Sequence, residues 1–152
     1  MNIDNLYVLI ENLKGSKHLY KYKEEIDKLI LVKKIKEPFP AAYGHIPRTH
    51  IDAEALDVVV LSSEPLERGT LVSIRILGAM RLEGKITDYI IISVVNDDLK
   101  NIEDINDLSQ KEFNDIKNFF ETFKNLKYKK CFNVREAKKI IKNSMELYER
   151  VV

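Results

Sequence analysis

The chain has 152 residues, 45% of them hydrophobic and 32% charged, with 25 Lys and Arg against 24 Asp and Glu and a net charge of +1. That length suffices for one domain, 1–152, with a proper core, and the near-neutral balance argues against a dedicated nucleic-acid binder, which would be basic. There is no apolar run of the roughly eighteen residues that a membrane helix needs, Asp4 and Glu11 interrupt the N-terminal apolar stretch, and Cys131 stands alone. Neither a membrane partner, a secretory leader nor an internal disulfide is expected, and a reducing cytoplasm is the natural compartment.

In chain order, residues 6–11 read as a strand that ends at Glu11, and Lys14-Gly15-Ser16-Lys17 makes a turn. Residues 29–36 read as a second strand. A loop punctuated by Pro38, Pro40 and Pro47 follows, and it carries Tyr43-Gly44-His45-Ile46-Pro47-Arg48-Thr49. Asp52, Glu54 and Asp57 then place three carboxylates within six residues, directly before the apolar run Val58–Leu61, which is β-branched and too short for a helix. Anions so crowded repel one another unless they are well solvated or a cation sits among them. In extended chain Asp52 and Glu54 share a face, and oxygen ligands at this spacing suit a hard divalent cation such as Mg2+.

Residues 70–77 and 89–95 read as further strands, joined through a hairpin at 78–89 that carries Glu83 and Asp88. Five or more short strands in series suggest a small barrel. Two helices follow. The first is announced by the capping box Ser109-x-x-Glu112 and the stripe Phe113, Ile116, Phe119, Phe120 and Phe123; the second runs from about Asn133 to Arg150, capped by Asn133-x-x-Glu136. His18, His45 and His50 lack metal-site spacing and are read as structural or surface histidines, and Cys131 as inert.

The Tyr43–Thr49 segment followed by Asp52-x-Glu54-x-x-Asp57 resembles the signature of the soluble, family I inorganic pyrophosphatases, which read Asn-Tyr-Gly-(Phe/Tyr)-Ile-Pro-x-Thr and then Asp-x-Asp-x-x-Asp. Glu11-x-x-Lys14-Gly15-Ser16-Lys17, Asp104-Ile105-Asn106-Asp107-Leu108 and both helices are similar to the same family, so the likeness spans about Glu11 to Ile141. It implies an α+β fold, mainly β: a five-stranded OB-like barrel with C-terminal helices packed outside. It implies Mg2+ held by Glu11, Asp52, Glu54, Asp57 and Asp88, with a further acid that falls on Glu83 or Gly84; Glu83 is taken, because glycine supplies no ligand.

The phosphate side departs from the family pattern. Tyr43, Lys34 (for an arginine) and Lys124 match phosphate-contacting positions, whereas Leu19, Ile90 and Phe123 replace two lysines and a tyrosine. Lys21 stands two residues beyond Leu19, on the same face of an extended strand; it is either the relocated charge or an exposed lysine on a site that no longer needs one. Glu54, one methylene longer than the family's aspartate, takes the place of the acid that orients the attacking water.

The expected activity is Mg2+-dependent hydrolysis of pyrophosphate to two phosphates by metal-activated water, with Glu54, Tyr43, Lys34, Lys124 and Lys21 as the catalytic set. The alternative is a catalytically impaired relative that binds metal, phosphate or a protein partner. An OB-type nucleic-acid module is disfavoured by the charge balance and the acid cluster. Family members form dimers or hexamers, and the compact length points to a hexamer.

Overall fold

The computed structural model describes residue 3, residues 5–51 and residues 54–151, with the backbone alone at residues 50, 51, 54 and 151. Five strands close into a ring: β1 (Leu6–Asn12), β4 (Ala42–Ile51), β5 (Glu54–Leu61), β7 (Thr87–Val95) and β6 (Leu71–Glu83), whose N-terminal half returns to pair with β1. β5 and β7 run parallel and the other pairs antiparallel. The C-terminal half of β6 pairs instead with β8 (Lys127–Phe132), so one long strand serves two neighbours along one edge. Outside the ring, β2 (His18–Lys23) and β3 (Lys28–Lys34) form a separate two-stranded sheet.

The expected barrel is therefore present, with one exchange of membership. Residues 29–36, read as a ring strand, lie mostly in the outlying hairpin. Residues 42–51, read as a loop, supply a ring strand instead. The prolines misdirected the reading. Pro47 and Arg48 sit where the β4–β5 register shifts, and Arg48 has φ 62°, so the proline occupies the irregular stretch where a missing N–H costs little. Thr49 closes that stretch: its Oγ1 donates to the Ile46 carbonyl at 2.6 Å and accepts from the Leu56 N–H at 2.9 Å, fully buried. Gly44 is required by a close approach, since a Cβ there would collide with the Leu9 carbonyl of β1.

Alternation along the strands sorts side chains into two cores. One draws on all five ring strands (Val8, Ile46, Val58, Ala79 and Ile91 among them) and on Ala137, Ile141 and Met145 of α2 (Val134–Val151). The other lies on the opposite faces of β4 to β7, with Tyr43, Val59, Met80 and Ile90 packed beneath Ile116 and Phe120 of α1 (Gln110–Lys124). Both helices start as their sequences announced. The Ser109 hydroxyl accepts from the Glu112 N–H at 3.1 Å, and Asn133 accepts from the Glu136 N–H at 2.9 Å. Among the described residues no helix is long and apolar enough to cross a membrane.

Candidate active site

The site lies on the α1-covered face of the ring. Asp57 of β5 shares its face with Val59 and Leu61, one residue out of step with Val58 and Val60, which point into the other core. Asp88 is the second residue of β7, two before Ile90 and on the same face. Lys124, the last residue of α1, reaches down between them: its Nζ lies 2.6 Å from Asp57 Oδ2 and 3.1 Å from Asp88 Oδ2. Asn125, left-handed at φ 54°, ends the helix there, and a cation in the last turn also complements the helix dipole.

Tyr43 completes this group. It is buried among Phe39, Phe120 and Phe123, with ring centroids 5.7, 5.0 and 6.1 Å away, and its hydroxyl lies near Asp57. Burial, and then the charge of Asp57, holds the phenol well above its ordinary pKa, with smaller contributions from Asp88 and Glu11. Burial also pushes the Asp57 carboxyl up. Lys124 and the nearby Tyr43 hydroxyl pull it back only in part, and Asp88 pushes it further up. For Lys124 burial works the other way, but the charges and hydrogen bonds of Asp57 and Asp88 prevail and its pKa is raised.

Glu11 joins from β1 as the unmatched residue where the β1–β4 register shifts, an irregularity that re-aims a side chain. Its Oε2 accepts the Tyr22 N–H at 2.7 Å, and its Oε1 lies 3.1 Å from His45 Nδ1. His45 stands directly across from Asp57 in the β4–β5 register, and the Tyr22 ring stacks on it at 5.9 Å. The histidine read as structural or at the surface is thus a half-buried partner of Glu11. Only the fold could show this, because Glu11 and His45 are 34 positions apart and meet through strand pairing.

The remaining expected residues take varied positions. Leu82 is cross-strand to Asp88, so Glu83, its neighbour, faces the other way and pairs with Arg81 at 2.7 Å. Lys21 and Lys34 are exposed on the β2–β3 sheet, while Leu19 packs against the aromatic core beneath α1. Ile90, where the resemblance called for a lysine, is fully buried and registered against Asp57. Phe123 keeps the ring of the expected tyrosine and sets it edge-on to Tyr43. Asp52 lies outside the described residues, and so does the side chain of Glu54. Among the described residues no three His, Cys, Asp or Glu side chains converge as a metal cage. A cleft of about 940 Å³ beside Phe39, Leu61 and Phe119 contains none of these acids.

A model of the inorganic pyrophosphatase family matches residues 8–149. The chain belongs to the inorganic pyrophosphatase family. This pyrophosphatase-family chain is 32% identical to an inorganic pyrophosphatase of Haloferax volcanii, over 96% of its own length and 89% of the relative's. It is 34% identical to one of Nanoarchaeum equitans, over 95% and 98%. Among solved structures it resembles the inorganic pyrophosphatase of Helicobacter pylori with a TM-score of 0.90, 28% identity and coverage of 97% and 95%. The enzyme of Thermus thermophilus superposes with a TM-score of 0.89 at 29% identity, over 96% and 92%.

Proposed function

We propose that this chain hydrolyses inorganic pyrophosphate to two phosphates and that its divalent cation is Mg2+. The observation that carries the reading is the convergence of Asp57, Asp88, Tyr43 and Lys124 on one buried face of a chain that belongs to the inorganic pyrophosphatase family. The donor set fits such an ion: the atoms that face Lys124 are carboxylate oxygens, the ligands a hard dication takes, and they already hold a cationic group. Asp57 and Asp88 would hold the metal, together with Asp52, Glu54 and Glu11; Glu83 is left out because it faces away. When bound, the ion supplies a water of lowered pKa and positive charge against phosphate oxygens.

The chain's own residues do the rest. Lys124 places a permanent positive charge where a transferring phosphate gathers negative charge. Tyr43 is proposed to steady Asp57 through its nearby hydroxyl. Glu54 is proposed to orient the attacking water, and Lys21 and Lys34 to bring cations from the hairpin to the outer phosphate. Family membership and the intact acid–lysine group favour this hydrolase over a binding-only relative. The reading extends to a single domain, a cytoplasmic location and a homo-oligomer, a hexamer before a dimer, which light scattering tests.

Phosphate release from pyrophosphate by purified protein, with and without Mg2+, tests the activity beside Glu54→Gln. Mg2+-dependent release, lost in the variant, is expected. A folded protein that binds Mg2+ but releases no phosphate above the variant overturns it in favour of the binding-only reading.

A further inference from the structure

Asp57 and Asp88 are two carboxylates 19% and 18% exposed, close enough to share one ammonium that is itself 17% exposed. So little water reaches them that their mutual repulsion is only weakly screened, and the group is tolerable because Lys124 stands between them. The lysine is not a loose arm. It is fixed at the end of α1 by the Asn125 cap, and the neighbouring Phe123 and Phe120 are anchored in the aromatic cluster around Tyr43. Among the described residues no other cation pairs with either carboxylate; the cross-strand neighbours of Asp57 are the apolar Ile90 and His45, whose Nδ1 is paired with Glu11.

A dication bound by Asp57 and Asp88 claims the same Oδ2 atoms that Lys124 holds. We propose that Lys124 is the site's internal counter-cation: it occupies Asp57 and Asp88 until a divalent cation takes them, and metal loading releases it toward the phosphate. The inference rests on the reading that these two aspartates hold the metal. Metal binding and Lys124 pairing are then competing events. Coupling of that kind typically changes an affinity by about 5- to 150-fold. The same competition makes Lys124 available to a phosphate only once metal is in place, so a phosphate oxygen meets the ammonium and the metal together.

Two measurements without pyrophosphate test this. In the first, Mg2+ binding is followed by calorimetry on wild type, Lys124→Met and Asp57→Asn at matched ionic strength. Methionine keeps the length and apolar stem of lysine and drops the charge. Lys124→Met should bind Mg2+ about tenfold or more tightly, within that coupling range, and Asp57→Asn should bind it far more weakly. In the second, the Lys124 side-chain ammonium signal of wild type is followed by NMR during the Mg2+ titration. Its protons should exchange with water faster as Mg2+ fills the site, with the midpoint of metal binding, because release breaks the hydrogen bonds to Asp57 and Asp88.

A wild type that binds Mg2+ while the Lys124 proton exchange stays unchanged overturns the inference, even if Lys124→Met fails to fold, and so does a folded Lys124→Met with unchanged or weaker Mg2+ affinity. Both of these outcomes leave the metal reading standing. A wild type that neither binds Mg2+ nor releases phosphate overturns both.

Discussion

On the ring face, Tyr43, Asp57, Asp88 and Lys124 stand over a packed floor of Val59, Ile90 and Phe120, each almost free of solvent. On the β2–β3 hairpin, Lys21 and Lys34 stand beside Ile30, Leu31 and Val32, which are all exposed. The acids and their lysine are placed by strand register and a helix cap; the other cations ride on a separate two-stranded sheet that is tied to the ring by side chains. The Asn12 amide exchanges hydrogen bonds with the Tyr20 backbone at 3.1 and 2.7 Å, Glu11 takes the Tyr22 N–H, and Leu19 packs inward. The departures from the family pattern follow the same division in part. Lys21 and Lys34 alter solvent-facing positions at little packing cost, whereas Ile90 and Phe123 are apolar replacements built into the floor.

The largest break of this comparison is Gly44→Ala, which sets a methyl group against the Leu9 carbonyl and should cost several kcal/mol, on the order of 3 or more, with loss of the cooperative urea transition. Phe120→Ala should cost about 3–5 kcal/mol in the same assay, because the ring fills the floor between α1 and Tyr43. Asn12→Ala should cost about 1–3 kcal/mol through two lost hydrogen bonds in a buried setting. Hydrogen exchange should then quicken at the β2–β3 amides and leave the β5 and β7 amides protected; uniform loss of protection would show that hairpin and ring are one cooperative unit. Leu31→Ser, on the exposed hairpin, should shift stability by no more than about 0.5 kcal/mol.

The last prediction sharpens the ring side. Asp98 joins the end of β7 to the end of β5 by accepting from the Ser63 N–H and hydroxyl, both at 2.8 Å. The Ser63 bonds, backbone first, hold its carboxyl below the ordinary aspartate value. The folded pKa is the lower one, so its stabilisation is present above the ordinary value near about 3.9 and is lost as pH falls through the folded value. Wild type minus Asp98→Asn, compared by urea unfolding, should therefore shrink in acid and be constant from about pH 5 upward.

Much of this was legible along the chain. The capping boxes of both helices, the apolar strands and the acid triplet are local patterns, and local patterns depend on neighbours one to four positions away. Gly44 and Thr49 appeared as motif letters without a reason; the reason is an approach to Leu9 and a bond to Leu56, both across strands. β2 was reached only through Leu19 and Lys21, and β8 was missed, because neither alternates cleanly: His18–Lys23 is polar and aromatic, and Lys127–Phe132 is lysine-rich with a register shift against β6.

Residue order alone thus carried the resemblance to the family, the suggestion of a small barrel and the pool of candidate acids, since each is written in local motifs. Which members of that pool share a face was decided by pairing. One step of strand register turns Glu83 away from Asp88, a shifted residue in β1 brings Glu11 to His45, and the end of α1 sets Lys124 between two aspartates 67 and 36 positions upstream. The physical reason is the two-residue period of a strand: it makes facing a matter of parity, and parity across a ring is known only when the ring has closed.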